Sequence, residues 1–281
     1  MKKLIVMLLA MLLCLGAAAA EDIPFTLVVK NDGAILIDCT FPDDVVECLA
    51  LPAESRSGVS VIEIADNALV HNYIIRRVEI PASIAIIPED TFGYGTEIIL
   101  HPDNPYFTNE NGFLIDTRTD TLLHASPSAA DQPLPEVSRL GDHCLDNWYP
   151  GEHVVLPDTL TSIGRGVCAE WMDTIRIDIP DSVTEIGAGA FNCAGLTSID
   201  LPDGLTCIPD LMLSCTYITE ITIPEGVTSI GGWAFYLCPL TRVEIPASCT
   251  FVAWDAFDPE VELVCLVENT HIETWEEAGI E

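Results

Sequence analysis

The quartet Ile199-Asp200-Leu201-Pro202 recurs as Ile221-Thr222-Ile223-Pro224 and Val243-Glu244-Ile245-Pro246, and upstream as Ile177-Asp178-Ile179-Pro180. The prolines fall at 157, 180, 202, 224 and 246, so the spacings are 23, 22, 22 and 22 residues. A fixed period of that length is the signature of stacked coils, each burying its apolar side against its neighbours. It displaces the ordinary expectation of one or two globular domains for a 281-residue chain.

Between prolines the pattern is regular. The coil from Pro180 places Ile186, Gly187, Ala190, Phe191, Leu196, Ile199 and Leu201; the coil from Pro224 places Ile230, Gly231, Ala234, Phe235, Leu240, Val243 and Ile245. Alternation in Ile199-Asp200-Leu201 sends the apolar side chains to one face and Asp200 to the other, so each period contributes one short strand to a parallel sheet. Proline cannot donate to the ladder and ends the strand. Glycine after the isoleucine is expected to permit a tight bend opposite the sheet, and the Ala-Phe pair fills the core. Burying each strand isoleucine contributes on the order of 1.5–3 kcal/mol.

Around this array the chain divides further. Lys2 and Lys3, the apolar run Leu4 to Leu15 and Ala18-Ala19-Ala20 read as a secretory signal peptide over residues 1–20, cleaved near Ala20. Leu13 before Cys14 argues against lipidation. Residues 21–45 hold two β-rich runs, Phe25 to Lys30 and Ala34 to Cys39, joined by Asn31-Asp32-Gly33; this hairpin is expected to cap the first coil. The solenoid is assigned to 46–268, with an inserted hairpin and loop at 103–134 within one continuous array. There Phe113 to Asp116 and Thr121 to His124 flank Thr117 to Asp120. Thr270 and Glu273 have capping-box spacing, and Ile272, Trp275 and Gly279 fit a C-terminal capping helix over 269–281. The expected fold is thus a repeat solenoid with one short parallel strand per coil.

Net charge narrows the partners. The formal charge is −33, and −35 when Lys2 and Lys3 are left out. Such a chain is repelled by phosphate backbones and anionic lipid, which disfavours nucleic-acid and membrane-surface binding. No later segment is apolar enough to span a bilayer, so no membrane insertion is expected after signal removal.

Leu196-x-x-Ile199-x-Leu201 and Leu240-x-x-Val243-x-Ile245 resemble the core motif of leucine-rich repeats. The proline after the strand, the Ile-Gly pair and the Ala-Phe pair are similar to the BspA-like class of bacterial surface repeats, over roughly residues 46 to 281. The asparagine ladder of the commoner superfamily pattern is missing. The resemblance implies an extracellular recognition or adhesion module with no shared catalytic residues.

The outward strand positions are the candidate site. One column holds Glu79, Val155, Asp178, Asp200, Thr222, Glu244 and Glu262; a second, two residues earlier, holds Arg77, His153, Arg176, Ser198, Glu220, Arg242 and Glu260. Arg77/Glu79, Arg176/Asp178 and Arg242/Glu244 each put a base and an acid on one strand. The columns read either as a face that grips a partner's charges or a glycan's hydroxyls, or as a solvated sheet whose exposed pairs contribute about 0–1 kcal/mol each.

Other residues fit chemistry poorly. Cys193 and Cys215 are equivalent one repeat apart, and Cys144 and Cys168 take inward positions; apolar packing and inter-coil disulfides are the two readings. No C-x-x-C pair supports zinc. His143-Cys144 would point to opposite sides, which argues against a nucleophile and its base. Asp103, Asn104, Asn109, Glu110 and Asn111 miss calcium-loop spacing. Trp148 and Trp171 either stack on a sugar or wedge a loop. No cofactor or metal site and no catalytic residue is expected. The function read from the sequence is recognition of an extracellular protein or glycan; the alternatives are a spacer without its own ligand and, last, an enzyme.

Overall fold

The structure is a computed structural model that describes residues 25–30, 33–39, 45–66, 68–69, 75–266 and 271–272. The signal peptide expected at 1–20 lies outside these residues. The chain divides into two compact units: residues up to Leu114 with Ser126–Ser128, and Ile115–Ala125 with Ala129 onward. The division falls inside the 103–134 insertion, which the sequence places within one array.

Unit 1 holds β1 (Phe25–Lys30), β2 (Gly33–Cys39), β3 (Leu49–Ala50), β4 (Val61–Ile64), β5 (Arg77–Ile80), β6 (Glu97–Leu100), β7 (Phe107–Glu110) and the start of β8 (Phe113–Asp116). β1 and β2 form the expected antiparallel hairpin, and β2 pairs in parallel with β4. β3, β5 and β6 stack in parallel with Leu49, Val78 and Ile98 in one buried row. β7 turns into β8 through Asn111-Gly112, at φ 53° and 88°. Asn-Gly is the pair that a two-residue hairpin with positive φ at both positions favours.

Unit 2 holds β9 (Thr121–Ala125), β10 (Arg139–Leu140), β11 (His153–Val155), β12 (Ser162–Ile163), β13 (Arg176–Asp178), β14 (Glu185–Ile186), β15 (Ser198–Ile199), β16 (Cys207–Ile208), β17 (Ser229–Ile230), β18 (Arg242–Ile245), β19 (Phe251–Val252), β20 (Glu262–Cys265) and β21 (His271–Ile272). It is a β-solenoid with parallel strands about one repeat apart. The expected strand row is present as β11-β13-β15 and β18-β20. A second row, not expected from the sequence, runs β9-β10-β12-β14 and β16-β17-β19-β21. Its inward residues include the isoleucines of the Ile-Gly pairs and their equivalents: Ile163 beside Ile186, and Ile208 beside Ile230 and then Val252.

The glycine after each isoleucine has a different role from the one expected. A Cβ on Gly187 would lie 2.5 Å from Arg165 N, and one on Gly164 would lie 2.7 Å from Asp142 N. These glycines let consecutive coils approach; positive φ falls elsewhere. It occurs at His143, Gly166, Gly189, Leu211 and Trp233, and again at Glu170, Cys193, Cys215 and Leu237.

The proline turns also carry more than a strand stop. Leu160, Val183, Leu205, Val227 and Cys249 each donate a backbone bond to the carbonyl of the proline three residues before, at 3.0–3.2 Å. All five are buried, so residues that the repeat pattern assigns to a turn form a core column. Inside, Ala190-Phe191, Met212-Leu213, Ala234-Phe235 and Ala256-Phe257 fill the space between the rows, with Phe235 and Phe257 stacked at 4.9 Å. Where an asparagine ladder is missing, threonines tie coils together: Thr228 Oγ1 donates to Thr206 O at 2.9 Å, and Thr250 Oγ1 to Thr228 O at 3.3 Å.

The C-terminal helix is corrected at its start. His271–Ile272 is strand β21, in parallel register with Phe251–Val252 at the end of the β16-β17-β19 ladder. Residues 269–270 and 273–281, with Glu273, Trp275 and Gly279, lie outside the described residues.

Candidate functional site

In unit 1 the outward residues Arg77 and Glu97 are ladder partners, as are Glu79 and Ile99. Glu79 accepts a hydrogen bond from Cys48 Sγ at 3.4 Å. Arg76, just before the strand, meets Glu47 at 3.5 Å.

In unit 2 the strand ladder sets His153 beside Arg176 and Arg176 beside Ser198, with Val155 beside Asp178. Arg176 Nε donates to Asp178 Oδ1 at 2.7 Å, and His153 Nε2 lies 2.8 Å from Asp178 Oδ2. The Arg176 bond first, then that of His153, holds the Asp178 carboxyl below the usual carboxylate range. Arg242 repeats the arrangement, with Nη1 donating to Glu244 Oε1 at 2.9 Å. Both same-strand pairs expected in this unit therefore form.

The register of the last coil differs from expectation. Arg242 faces Glu262, at 3.9 Å, and Glu244 faces Val264; the columns expected from sequence set Glu260 and Glu262 there instead. Glu262 lies 20 residues after Arg242, two short of the 22-residue period, and the strand of this coil is Glu262–Cys265.

The strand row is interrupted between β15 and β18. Residues 220–223 belong to no strand, although they carry the same Ile-Thr-Ile word. A groove of about 640 Å³ opens there. It gathers the expected residues Ser198, Asp200, Glu220, Thr222, Arg242 and Glu244. It adds Asp203 and Glu225, which sequence reasoning missed. Their signal was available: an acid follows the proline at Asp158, Asp181, Asp203 and Glu225. The lining holds five carboxylates and one guanidinium, and Arg242 is already engaged by Glu244. All five carboxylates are exposed, and together they make the groove a focus of negative potential.

The remaining candidates are structural. Trp148 and Trp171 are buried, with ring centroids 5.6 Å apart, and Trp148 Nε1 donates to Gln132 O at 3.0 Å. They wedge the loop and offer no sugar platform. Asn104 Nδ2 donates to Pro81 O and Ile84 O at 3.1 and 3.0 Å, while its Oδ1 accepts from Tyr106 N and Phe107 N. Asn109 Nδ2 donates to Ile98 O at 2.7 Å. Cys144 is buried and His143 is half-buried beside Asp146. Among the described residues no group of three or more His, Cys, Asp or Glu could hold a metal ion, and no helix is long and apolar enough to cross a membrane.

Residues 138–263 match the BspA type leucine rich repeat region in six copies. A leucine-rich repeat protein from Eubacterium ventriosum has the same fold, with a TM-score of 0.60 and 18% identity over 83% of this chain. This chain spans 64% of that protein's length. A leucine-rich repeat protein from Bacteroides ovatus aligns at a TM-score of 0.48 and 16% identity, over 94% of this chain and 70% of its own. A leucine rich cell surface protein from Faecalibacterium prausnitzii aligns at 0.46 and 16%, over 90% and 95%. No curated protein matches the sequence. Residues 138–263, with six repeat copies and stacked parallel strands, form a BspA type leucine rich repeat region.

Proposed function

We propose that the chain is an extracellular recognition module that holds a basic segment of a partner protein in the groove between Ser198 and Glu244. The observation that carries this reading is the groove's charge: five carboxylates against one arginine that is already paired. A lysine- or arginine-bearing segment complements it; an acidic partner is repelled. A neutral glycan is the weaker candidate, because Trp148 and Trp171, the residues that the sequence offers for stacking on a sugar, are buried and the groove lining holds no aromatic side chain. Secretion by the leader at 1–20 and retention at a bacterial surface fit this role.

The test immobilises the full chain and measures binding of basic, neutral and acidic extracellular proteins and of neutral glycans. Basic proteins should bind, and affinity should fall steeply with added salt. Asp200→Lys with Glu220→Lys should weaken that binding by about tenfold or more, while Glu185→Lys on the second strand row should not. Equal binding by the groove variant overturns the reading, and binding by nothing in the panel favours the spacer role.

A further inference from the structure

Cys193 and Cys215 share one column of the solenoid, and the structure sets them side by side. Phe191 N donates to Met212 O at 3.0 Å, and Cys193 N to Ser214 O at 2.8 Å. In a parallel ladder these bonds place Phe191 beside Leu213 and Cys193 beside Cys215. Coils stacked like strands lie about 4.8 Å apart, inside the roughly 4.4–6.8 Å Cα separation that a disulfide bridges. Both residues adopt positive φ, 56° and 58°, so their Cα–Cβ bonds leave the backbone in the same direction. The Cys215 thiol is among the groups that push the Cys193 thiol up.

Access separates this pair from the other inward cysteines. Cys193 and Cys215 are free and half-buried, whereas Cys144 and Cys168 are wholly enclosed. A third thiol, Cys238, follows one coil on, but it is buried and tied to Thr216 Oγ1 at 3.3 Å and Leu213 O at 3.1 Å. Cys215 therefore has one accessible thiol beside it.

We propose that Cys193 and Cys215 are a thiol-oxidation site that forms a disulfide between consecutive coils, with a small-molecule or protein disulfide as the oxidant. The Cys215 thiolate attacks one sulfur of the oxidant, forming a mixed disulfide and releasing one thiol of the oxidant. The Cys193 thiolate then attacks Cys215 Sγ, forming the inter-coil bond and releasing the second thiol. Two protein thiols are oxidised, one external disulfide is reduced to two thiols, and both protons pass to the departing thiolates. Burial, then the neighbouring Cys215 and Glu170, push the Cys193 thiol up, which slows its own attack on the oxidant.

The full chain is treated with oxidised glutathione, alkylated, digested and mapped by mass spectrometry. The expected product is a peptide pair linked through residues 193 and 215, with a melting temperature several degrees above that of the reduced protein. Cys193→Ser should retain glutathione on Cys215 and lose the thermal shift; Cys215→Ser should lose both; Cys207→Ser should keep the bond and the shift. Oxidised protein with both cysteines still alkylated, or linked through Cys238 instead, overturns the proposal. Since each variant is compared with its own reduced form, a folding defect is separated from loss of the bond.

Discussion

Arg176 is held by Asp178, two residues on along its own strand, through a 2.7 Å bond from Nε to Oδ1. The same carboxylate meets His153 from the preceding coil at 2.8 Å. A base that looks available in the sequence is thus already offset by its own chain, and Arg242 is offset in the same way by Glu244. What the outward face offers a partner is the excess of carboxylate, most of all where the strand row opens at residues 220–223.

Binding should accordingly follow the acids more than the arginines. Arg176→Glu should change affinity for a basic partner by less than the Asp200→Lys, Glu220→Lys pair does. Titration of both variants against the same partner checks this; a larger loss from Arg176→Glu would move the site to the β11-β13 region.

The two glycine roles can be separated within one coil. Gly189 sits at φ 64°, and a Cβ there would meet no atom closer than 3.8 Å, so Gly189→Ala carries only left-handed backbone strain. That strain amounts to about 1–2 kcal/mol. Gly187→Ala drives a Cβ to 2.5 Å from Arg165 N and must push adjacent coils apart. Guanidinium denaturation should rank Gly187→Ala as the more damaging.

Phe235 is buried and stacked on Phe257, with rings 7° from parallel. Phe235→Ala should cost about 3–5 kcal/mol. The double variant with Phe257→Ala should lose less than the sum, because the ring contact is lost only once. Thermal melts of the two single variants and the double variant measure this.

Strand position alone mis-ranks two isoleucines. Ile177 is buried and paired between Val154 and Ile199. Ile221 holds the equivalent place in the repeat, yet it is half-buried and lines the groove. Ile177→Asp should unfold its neighbours through an unpaired buried charge. Ile221→Asp, expected from the repeat to do the same, should melt closer to wild type. Circular dichroism melts compare them.

Asp116 contributes acid-sensitive stability. Burial pushes its carboxyl up, but the side-chain and backbone hydrogen bonds from Arg118, and the Arg118 charge, outweigh that and hold it below its ordinary value. Arg118 Nε donates to Oδ1 at 3.0 Å and Nη2 to Oδ2 at 2.6 Å. A lowered folded-state value means the contribution is present above the unfolded carboxylate pKa and is lost as pH falls through the folded one. Asp116→Asn should therefore melt below wild type at neutral pH, with the gap closing under strong acid.

The repeat was legible because its cause is local and periodic. Ile199, Ile177 and Val243 alternate with polar neighbours, and each recurrence reports the same inward direction. The column of Leu160, Val183, Leu205, Val227 and Cys249 was equally periodic, but it sits in a turn, where apolar spacing alone does not reveal which way a side chain points. The second strand row was hidden because two residues per coil are too few to show alternation. The groove's acids were visible as residues; their convergence was not, because equivalent words at 199–202 and 221–224 give no sign that only one joins a ladder.

The sequence by itself determined the stacked-coil architecture, the inward and outward columns and the negative charge, since all of these follow from composition and period. The tertiary structure alone decided where the strand row breaks, why Gly187 must lack a side chain, and that Cys193 lies beside Cys215. Those depend on the distance between residues about 22 positions apart. That distance is set by how each coil seats on the next: a few tenths of an ångström decide whether a ladder bond, an ion pair or a groove results.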